Sequence, residues 1–165
     1  MFRRVADFQK AWEQEKASTL KVLRAMTDAS LSQAVTSDGR TLGRLAWHVA
    51  TTLGEMMERT GLKIGGPSHE APPPPSAAAI VAAYDEAAKA VAEGVSGWSD
   101  ATLEVEDDMY GQRWSRGLTL QALVVHQAHH RGQMTVLMRQ AGLKVPGVYG
   151  PAREEWAAMN MPPAE

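Results

Sequence analysis

The segment that decides the fold runs from Leu118 to Ala141 and reads LTLQALVVHQAHHRGQMTVLMRQA. Its apolar residues recur at intervals of three and four, which is the spacing of one face of a helix. Only one arc of this helix is polar, so we expect most of its circumference to be buried. That arc comprises Gln127, Arg131, Thr135 and Arg139. Gly142 follows as a C-terminal stop signal.

Three further segments with apolar residues at helical spacing precede this one. They are expected at about residues 4–27, 41–60 and 77–98, with a polar loop over 28–40. Between the second and the third, the prolines of residues 67–75 exclude a helix, because proline lacks an N–H and restricts the residue before it. A connection of this length lets the second and third helices run in parallel.

The remaining segments are short. Thr102–Glu106 alternates like a strand that has no evident partner, and residues 111–117 are expected to form a connector. A last helix is expected over about residues 152–159, with Trp156 packed against the other helices. The sequence therefore predicts one all-α domain over residues 1–165. This domain is a four-helix bundle with a long crossover between helices 2 and 3 and a short C-terminal helix.

Composition narrows the classes of function. The chain contains no cysteine, which excludes disulfides, thiolate metal sites and cysteine nucleophiles. Its net charge of −2 and the lack of a basic block argue against a nucleic acid partner. No segment approaches the roughly 18 apolar residues of a membrane span, and the first residues lack the apolar run of a signal peptide. We therefore expect a cytoplasmic protein that binds neither nucleic acid nor membrane.

Three of the five histidines lie in the fourth helical segment. Residues four apart share a helix face, so His126 and His130 can reach one metal ion, and His48 in the second segment is the candidate third ligand. Three neutral imidazoles with an open coordination position suit Zn²⁺, Ni²⁺ or another divalent ion. The competing pair is His126 with His129, since a spacing of three also brings side chains together.

A metal must be weighed against ordinary packing. A single buried histidine is usually hydrogen-bonded to backbone or water, whereas several in one interior patch leave ring nitrogens that must all be satisfied. A metal ion solves that problem by taking a lone pair from each ring. The pattern is not the metalloprotease motif H-E-x-x-H, because Gln127 stands where the general-base glutamate would be and is expected to face the opposite side.

Candidate catalytic residues surround this predicted site. Glu55 lies seven residues after His48 on the same side of its helix, so it is either a carboxylate near the metal or a solvated surface residue. Gln133 is a candidate to fix an imidazole tautomer. His129 and Tyr149 are further candidates to assist proton transfer, with packing as the alternative role for Tyr149.

These motifs resemble the DinB family of DNA-damage-inducible bacterial proteins, which is related to the DinB/YfiT-like metalloenzymes. The resemblance rests on Leu45-Ala-Trp-His48 and on His126-x-x-His129-His130-Arg-Gly-Gln133, within residues 42–150. It implies a four-helix bundle with a long crossover, often dimeric, and a metal site with one ligand from the second helix and two from the fourth. The matching positions are His48, His126 and His130.

The resemblance also implies a class of reaction. Members of the wider superfamily act on low-molecular-weight thiols such as bacillithiol and mycothiol, and a bound metal activates the thiol near neutral pH. We expect a metal-dependent thiol S-transferase or a related hydrolase that acts on a small-molecule substrate and forms a homodimer. The alternative is a non-catalytic metal-binding protein of a stress response. A Zn²⁺ or Ni²⁺ cofactor fits both hypotheses.

Overall fold

The computed structural model describes residues 1–160 and 162, most of them in helices. The helices are α1 (Val5–Arg24), α2 (Leu42–Glu58), α3 (Ala77–Ser96), α4 (Arg116–Gln140) and α5 (Arg153–Trp156). Short 3-10 helices cover Asp28–Ser32, Asp100–Glu104 and Ala157–Met159. Strands β1 (Glu106–Met109) and β2 (Gln112–Ser115) form an antiparallel hairpin. The predicted domain also includes residues 161 and 163–165, which lie outside the described residues.

Three of the long helices begin at a side-chain cap. The hydroxyl oxygens of Thr41, Ser76 and Ser115 accept hydrogen bonds from backbone N–H groups in the first turns of α2, α3 and α4. These bonds satisfy donors that a helix start otherwise leaves free. Helix α4 begins at Arg116 rather than at Leu118 because Ser115 provides its cap.

The four long helices enclose one apolar core. Helices α1 and α2 each contact both α3 and α4. Fully buried aromatic residues include Phe8 and Trp12 of α1 and Tyr84 of α3. The indole nitrogen of Trp12 donates to the carbonyl oxygen of Ala88 at 3.0 Å, which ties α1 to α3. None of the helices in the described part of the chain is long and apolar enough to cross a membrane.

The region between α3 and α4 differs from the prediction. Asp100–Glu104 is a 3-10 helix capped by Ser99, and the strand starts only at Glu106. Residues 111–117 are not a connector, because they contain the end of the hairpin turn, β2 and the start of α4. The turn residues Tyr110 and Gly111 both have positive φ angles, 59° and 80°. Such a pair is typical of a type I′ turn, but a tyrosine is not among its usual residues, so the turn gave no clear sequence signal.

The prediction that the polar arc of α4 is its exposed side is wrong. Gln127 and Arg131 are only 0% and 3% exposed. The amide oxygen of Gln127 accepts a hydrogen bond from the Tyr84 hydroxyl at 2.6 Å. The exposed side of α4 instead carries Val125 and Val136, which are 54% and 51% exposed. Gln127 and Arg131 therefore face the core. Partners from other helices bind the Gln127 amide oxygen and two guanidinium nitrogens of Arg131, while Gln127 Nε2 and Arg131 Nε have no partner among the described residues.

Arg131 takes part in a buried ion pair between α4 and α1. Its guanidinium lies 2.6 Å from the Glu15 carboxylate and donates to the Thr19 hydroxyl at 2.7 Å. Tyr149, from the loop after α4, covers this pair. Its hydroxyl donates to Glu15 at 2.7 Å and accepts a hydrogen bond from Arg131. The charges are thus paired and hydrogen-bonded, which is the condition for burying them.

The C-terminal helix was predicted as one segment over residues 152–159, and the structure divides it into α5 and a 3-10 turn. Two ion pairs link it to the long helices, Arg139 with Glu154 at 2.9 Å and Lys21 with Glu155 at 3.4 Å. Trp156 is half-buried, and its indole nitrogen donates locally to a backbone carbonyl. These ion pairs therefore help to position the C-terminal helix. The sequence had suggested that packing of Trp156 would do so.

We expect Arg131→Ala to lower the free energy of unfolding by about 3–5 kcal/mol, because it leaves the Glu15 carboxylate buried without its partner. Arg139→Ala is the matched control on the same helix, since its ion pair with Glu154 is partly exposed and such pairs contribute about 0–1 kcal/mol. Urea unfolding followed by circular dichroism measures both changes. Equal, small losses in the two variants would contradict a structural role for the buried pair.

Candidate metal centre

Three histidine side chains meet where α2 packs against α4. His48 comes from α2, and His126 and His130 lie one turn apart on α4. One ring nitrogen of each lies within 4.8 Å of those of the other two. The Nε2 atom of His126 is 3.1 Å from the Nε2 atoms of both His48 and His130. The structure thus brings together the three residues that the sequence suggested, and these could hold a metal ion.

Hydrogen bonds on the far sides of two rings indicate which nitrogen carries the proton. His130 Nδ1 lies 2.7 Å from the amide oxygen of Gln133, which can only accept, so Nδ1 donates. His48 Nδ1 lies 3.3 Å from the Thr52 hydroxyl. That hydroxyl donates its own proton to the His48 carbonyl oxygen at 2.6 Å, so it accepts from Nδ1. In the neutral rings, both Nε2 atoms therefore carry lone pairs directed into the cluster.

The amide of Gln133 is oriented by a second contact. Its nitrogen lies 3.2 Å from His129 Nε2, which places its oxygen on the side of His130. His129 is itself exposed and offset from the cluster. The competing pair, His126 with His129, is therefore not the one that the structure brings together with His48. Gln133 acts as a bridge between the buried histidine and its exposed neighbour.

The remaining ring, His126, indicates that the cluster suits a cation. A proton on its Nε2 could be shared with only one of the two facing lone pairs at a time, whereas a cation satisfies all three nitrogens. Its other nitrogen, Nδ1, is buried without a hydrogen-bond partner among the described residues. The donor set therefore fits a divalent ion, for which neutral imidazoles are common ligands.

Burial keeps these imidazoles neutral. Burial and the neighbouring His130 lower the pKa of His48 to about 4. Burial, followed by the effect of the neighbouring histidines, lowers the pKa of His126 to about 4. Burial also lowers the pKa of His130, against the opposing effect of its hydrogen bond to Gln133. At neutral pH all three rings are in the unprotonated form that metal binding requires.

Cavities adjoin the cluster on two sides. One, of about 500 Å³, lies between α2, α4 and the hairpin and is lined by His48 and His126. The other, of about 560 Å³, is lined by His130, His129 and Arg40. Both volumes are within the range of sites for small molecules. The cluster is therefore accessible to a small molecule through these cavities and is not closed within the core.

The predicted catalytic residues are not all brought to this centre. Glu55 lines the 500 Å³ cavity with His48, and its carboxylate lies 3.7 Å from the Arg59 guanidinium. His129 lines the other cavity. Tyr149 is held elsewhere, because its hydroxyl is hydrogen-bonded within the buried ion pair of α1 and α4.

Sequence reasoning missed several residues near the cluster. Tyr110 and Trp114 line the 500 Å³ cavity from the hairpin, an element that the sequence analysis did not recognise. Arg40 lines the other cavity from the loop before α2. Thr52 could have been found, because it lies four residues after His48 and a spacing of four places the two on one helix face.

Together, fold and site define a helical protein with a cluster of three histidines between two of its long helices. The chain belongs to the DinB family, whose sequence pattern it matches over residues 1–164. It is 45% identical over 162 residues to YrdA of Bacillus subtilis (strain 168), described as an uncharacterized protein. This match covers 98% of the chain and 97% of YrdA.

Solved structures agree with this assignment. A crystal structure of a DinB-like protein from Bacillus cereus ATCC 10987 matches with a TM-score of 0.87 and 43% identity, covering 90% of this chain and 100% of that one. The DinB-like protein YjoA from Bacillus subtilis matches with a TM-score of 0.67 and 13% identity, covering 86% and 97%. At that identity the likeness to YjoA concerns the fold alone.

We expect His130→Ala to weaken binding of Zn²⁺ or Ni²⁺ by about 100-fold or more, because loss of a residue that merely orients a ligand already costs about 10–100-fold. His129→Ala is the control, since it removes the adjacent imidazole on the same helix, which contacts Gln133 but is not one of the three converging histidines. Isothermal titration calorimetry and elemental analysis after dialysis measure affinity and stoichiometry. Unchanged metal retention in His130→Ala would contradict the site.

Proposed function

We propose that this DinB-family protein binds a divalent metal ion, Zn²⁺ or Ni²⁺, through His48, His126 and His130. We further propose that it is a metal-dependent enzyme acting on a low-molecular-weight thiol, as an S-transferase or a related hydrolase. The convergence of three neutral Nε2 atoms carries the first part of this proposal. The thiol substrate class is supported by the family resemblance alone.

A bound divalent ion would supply a Lewis acid that lowers the pKa of a substrate thiol or of water. The protein's own contribution is to hold the ligands ready. Gln133 and Thr52 accept the Nδ1 protons of two imidazoles and so keep the Nε2 atoms directed inward. Because three protein ligands converge among the described residues, coordination positions stay open for a substrate, which distinguishes catalytic from structural sites.

Glu55 is the residue that we assign to proton transfer. Its carboxylate lines the same cavity as two of the histidines, and Arg59 holds it from the solvent side at 3.7 Å. A carboxylate in this position can accept the proton that a thiol or water loses on activation. His129, in the wall of the other cavity, is a second candidate. Tyr149 is not included, because its hydroxyl is engaged by Glu15 and Arg131.

The proposal extends to the architecture that the resemblance implies, a four-helix bundle with α2 and α3 in parallel. Contacts at both ends of these helices support it. The backbone N–H of Ala77, at the start of α3, donates to Asp28 in the first 3-10 helix. Gln33, which caps the other end of that 3-10 helix, accepts a hydrogen bond from the backbone N–H of the first residue of α2. Leu62, just beyond α2, lies against Gly94 near the end of α3. The resemblance also favours a homodimer. Sedimentation equilibrium would measure the mass of the assembly and so test this.

We expect Glu55→Gln to lower kcat by about 100-fold or more, the usual contribution of a general base, while the metal content stays unchanged. Glu58→Gln is the matched control, one turn further along α2 and exposed to solvent. The assay follows loss of free thiol in the metal-loaded protein with a panel of cellular thiols and electrophiles. Full activity in Glu55→Gln would remove this residue from the mechanism.

The same assay separates the enzyme from its alternative. A wild-type protein that binds one metal ion tightly but consumes no thiol or hydrolysable substrate across the panel would support the non-catalytic metal-binding role instead. A protein that binds no metal at all would contradict both.

A further inference from the structure

The hairpin builds an apolar wall opposite the histidine cluster. The polar residues that line the cavity of about 500 Å³ include His48, His126, Thr52 and Glu55. The rest of its lining includes Met56 and Ala122 from the helices and two aromatic side chains from the hairpin. A space of this size, mostly apolar with a few convergent polar groups, is the usual form of a small-molecule site.

Tyr110 lines this wall although its backbone conformation is unfavourable for a tyrosine. Its φ of 59° lies in the left-handed region, where glycine, asparagine or aspartate is favoured in a turn of this type. Strain of this kind is concentrated at functional sites. The Tyr110 ring is held under the Arg59 guanidinium, whose carbon lies 4.6 Å from the ring centroid. It meets Trp114 edge-on, with the centroids 6.3 Å apart.

Tyr110 neighbours Glu55, the acidic residue of the cavity lining. Burial and the neighbouring Glu55 carboxylate raise the pKa of Tyr110 to about 12. The hydroxyl is therefore protonated at neutral pH and can donate to that carboxylate. The Tyr110 ring lines the cavity together with Trp114 and so contributes an apolar surface that can receive apolar groups.

The second cavity beside the cluster differs in chemistry. Arg40, His129 and Gln133 contribute polar groups to its lining, whereas the hairpin cavity is lined by no lysine or arginine of the described part of the chain. An apolar group therefore loses less by entering the hairpin cavity, because it displaces fewer polar contacts there. The two cavities can therefore accept chemically different groups of one substrate or two different reactants.

We propose that the hairpin cavity binds the apolar part, aliphatic or aromatic, of a substrate whose polar reacting end lies at the histidine cluster. This inference rests on the proposed metal-dependent function and assigns its substrate class. Tyr110, Trp114 and Val125 determine which apolar groups are accepted. The proposed metal ion on the histidines would hold the polar reacting end, and the hairpin cavity would hold the apolar part. The polar head and the apolar tail of a ligand therefore contribute separately to its affinity.

Two hydroxamic acids test this separation, because hydroxamates bind divalent metal ions and their tails can be varied. Acetohydroxamic and hexanohydroxamic acid share one head and differ by four methylene groups. Each fully buried methylene strengthens binding about fourfold. We therefore expect the hexanoyl compound to bind the zinc-loaded protein about 16-fold more tightly if two methylenes are buried and about 250-fold more tightly if all four are. Isothermal titration calorimetry measures both affinities. Equal affinities would overturn this inference and leave the metal site intact.

Failure of the proposed function gives a different result. If neither hydroxamate binds the zinc-treated protein more tightly than the metal-free protein, the metal centre itself is contradicted. Zinc titration in the same calorimeter then shows no uptake by the histidine cluster. The two failures are therefore distinguishable within one set of measurements.

A matched pair of variants locates the tail. Val125 and Val136 lie on α4 with exposures of 54% and 51%, but Val125 lines the hairpin cavity and Val136 the other one. We expect Val125→Trp to abolish the preference for the hexanoyl tail while acetohydroxamate affinity is unchanged, and Val136→Trp to leave the preference intact. The reverse pattern would place the tail in the Arg40 cavity and overturn the proposal.

A second variant guards against an ambiguous result. Tyr110→Gly removes the ring and is compatible with the positive φ, so the turn is expected to fold. We expect it to reduce hexanoyl affinity about tenfold without changing acetohydroxamate binding. Sedimentation equilibrium of Val125→Trp is the last control. If that variant alone changes the oligomeric state, a second copy of the chain covers this face and the proposal fails.

Discussion

The structure depends on how three imidazoles are satisfied between α2 and α4. Neutral rings whose Nε2 atoms face one another at 3.1 Å repel through their lone pairs unless a proton or a cation lies between them. The rings cannot turn away, because Gln133 and Thr52 engage two of them from behind. Helix packing and the choice of tautomers therefore lead to one requirement, which is a proton or a cation between the Nε2 atoms.

Helix α4 keeps this neutral cluster beside a charged one. His130 faces α2, while the next residue, Arg131, faces α1 and pairs with Glu15. Because the carboxylate neutralises the guanidinium and Tyr149 closes the pair, its positive charge is compensated locally. Successive residues of one helix thus serve opposite purposes, one stabilising the packing of α1 and the other presenting a ligand to α2.

Much of this could be predicted from the sequence. Helical spacing located α1 to α4 within a few residues, and the interval between His126 and His130 indicated which imidazoles share a face. The burial of Gln127 and Arg131 could not be predicted, because a polar arc appears the same whether its partners are water or the side chains of another helix. Their partners, Tyr84 and Glu15, are more than forty residues away in the chain.

The hairpin and the contacts of Tyr149 could not be predicted from the sequence, for related reasons. The turn has Tyr110 where the common hairpin signal would be an asparagine or aspartate before glycine, so the sequence contained no recognisable turn between the two strands. Tyr149 lies in a glycine-rich loop whose path depends on the Glu15 carboxylate that it meets. Contacts of this kind arise from the three-dimensional packing and leave no local periodicity to detect.

The division of labour between helices and hairpin has a consequence for how such a protein diversifies. The candidate ligands stand on α2 and α4, within the packed framework, whereas the aromatic wall stands on two short strands at the edge. Exchanging hairpin residues that lie outside the core, such as Tyr110 and Trp114, alters the space in front of the cluster, whereas Met109 of β1 is fully buried and has to be kept. Natural variants and engineered libraries can therefore change this space through the less buried hairpin residues while the framework retains its stability.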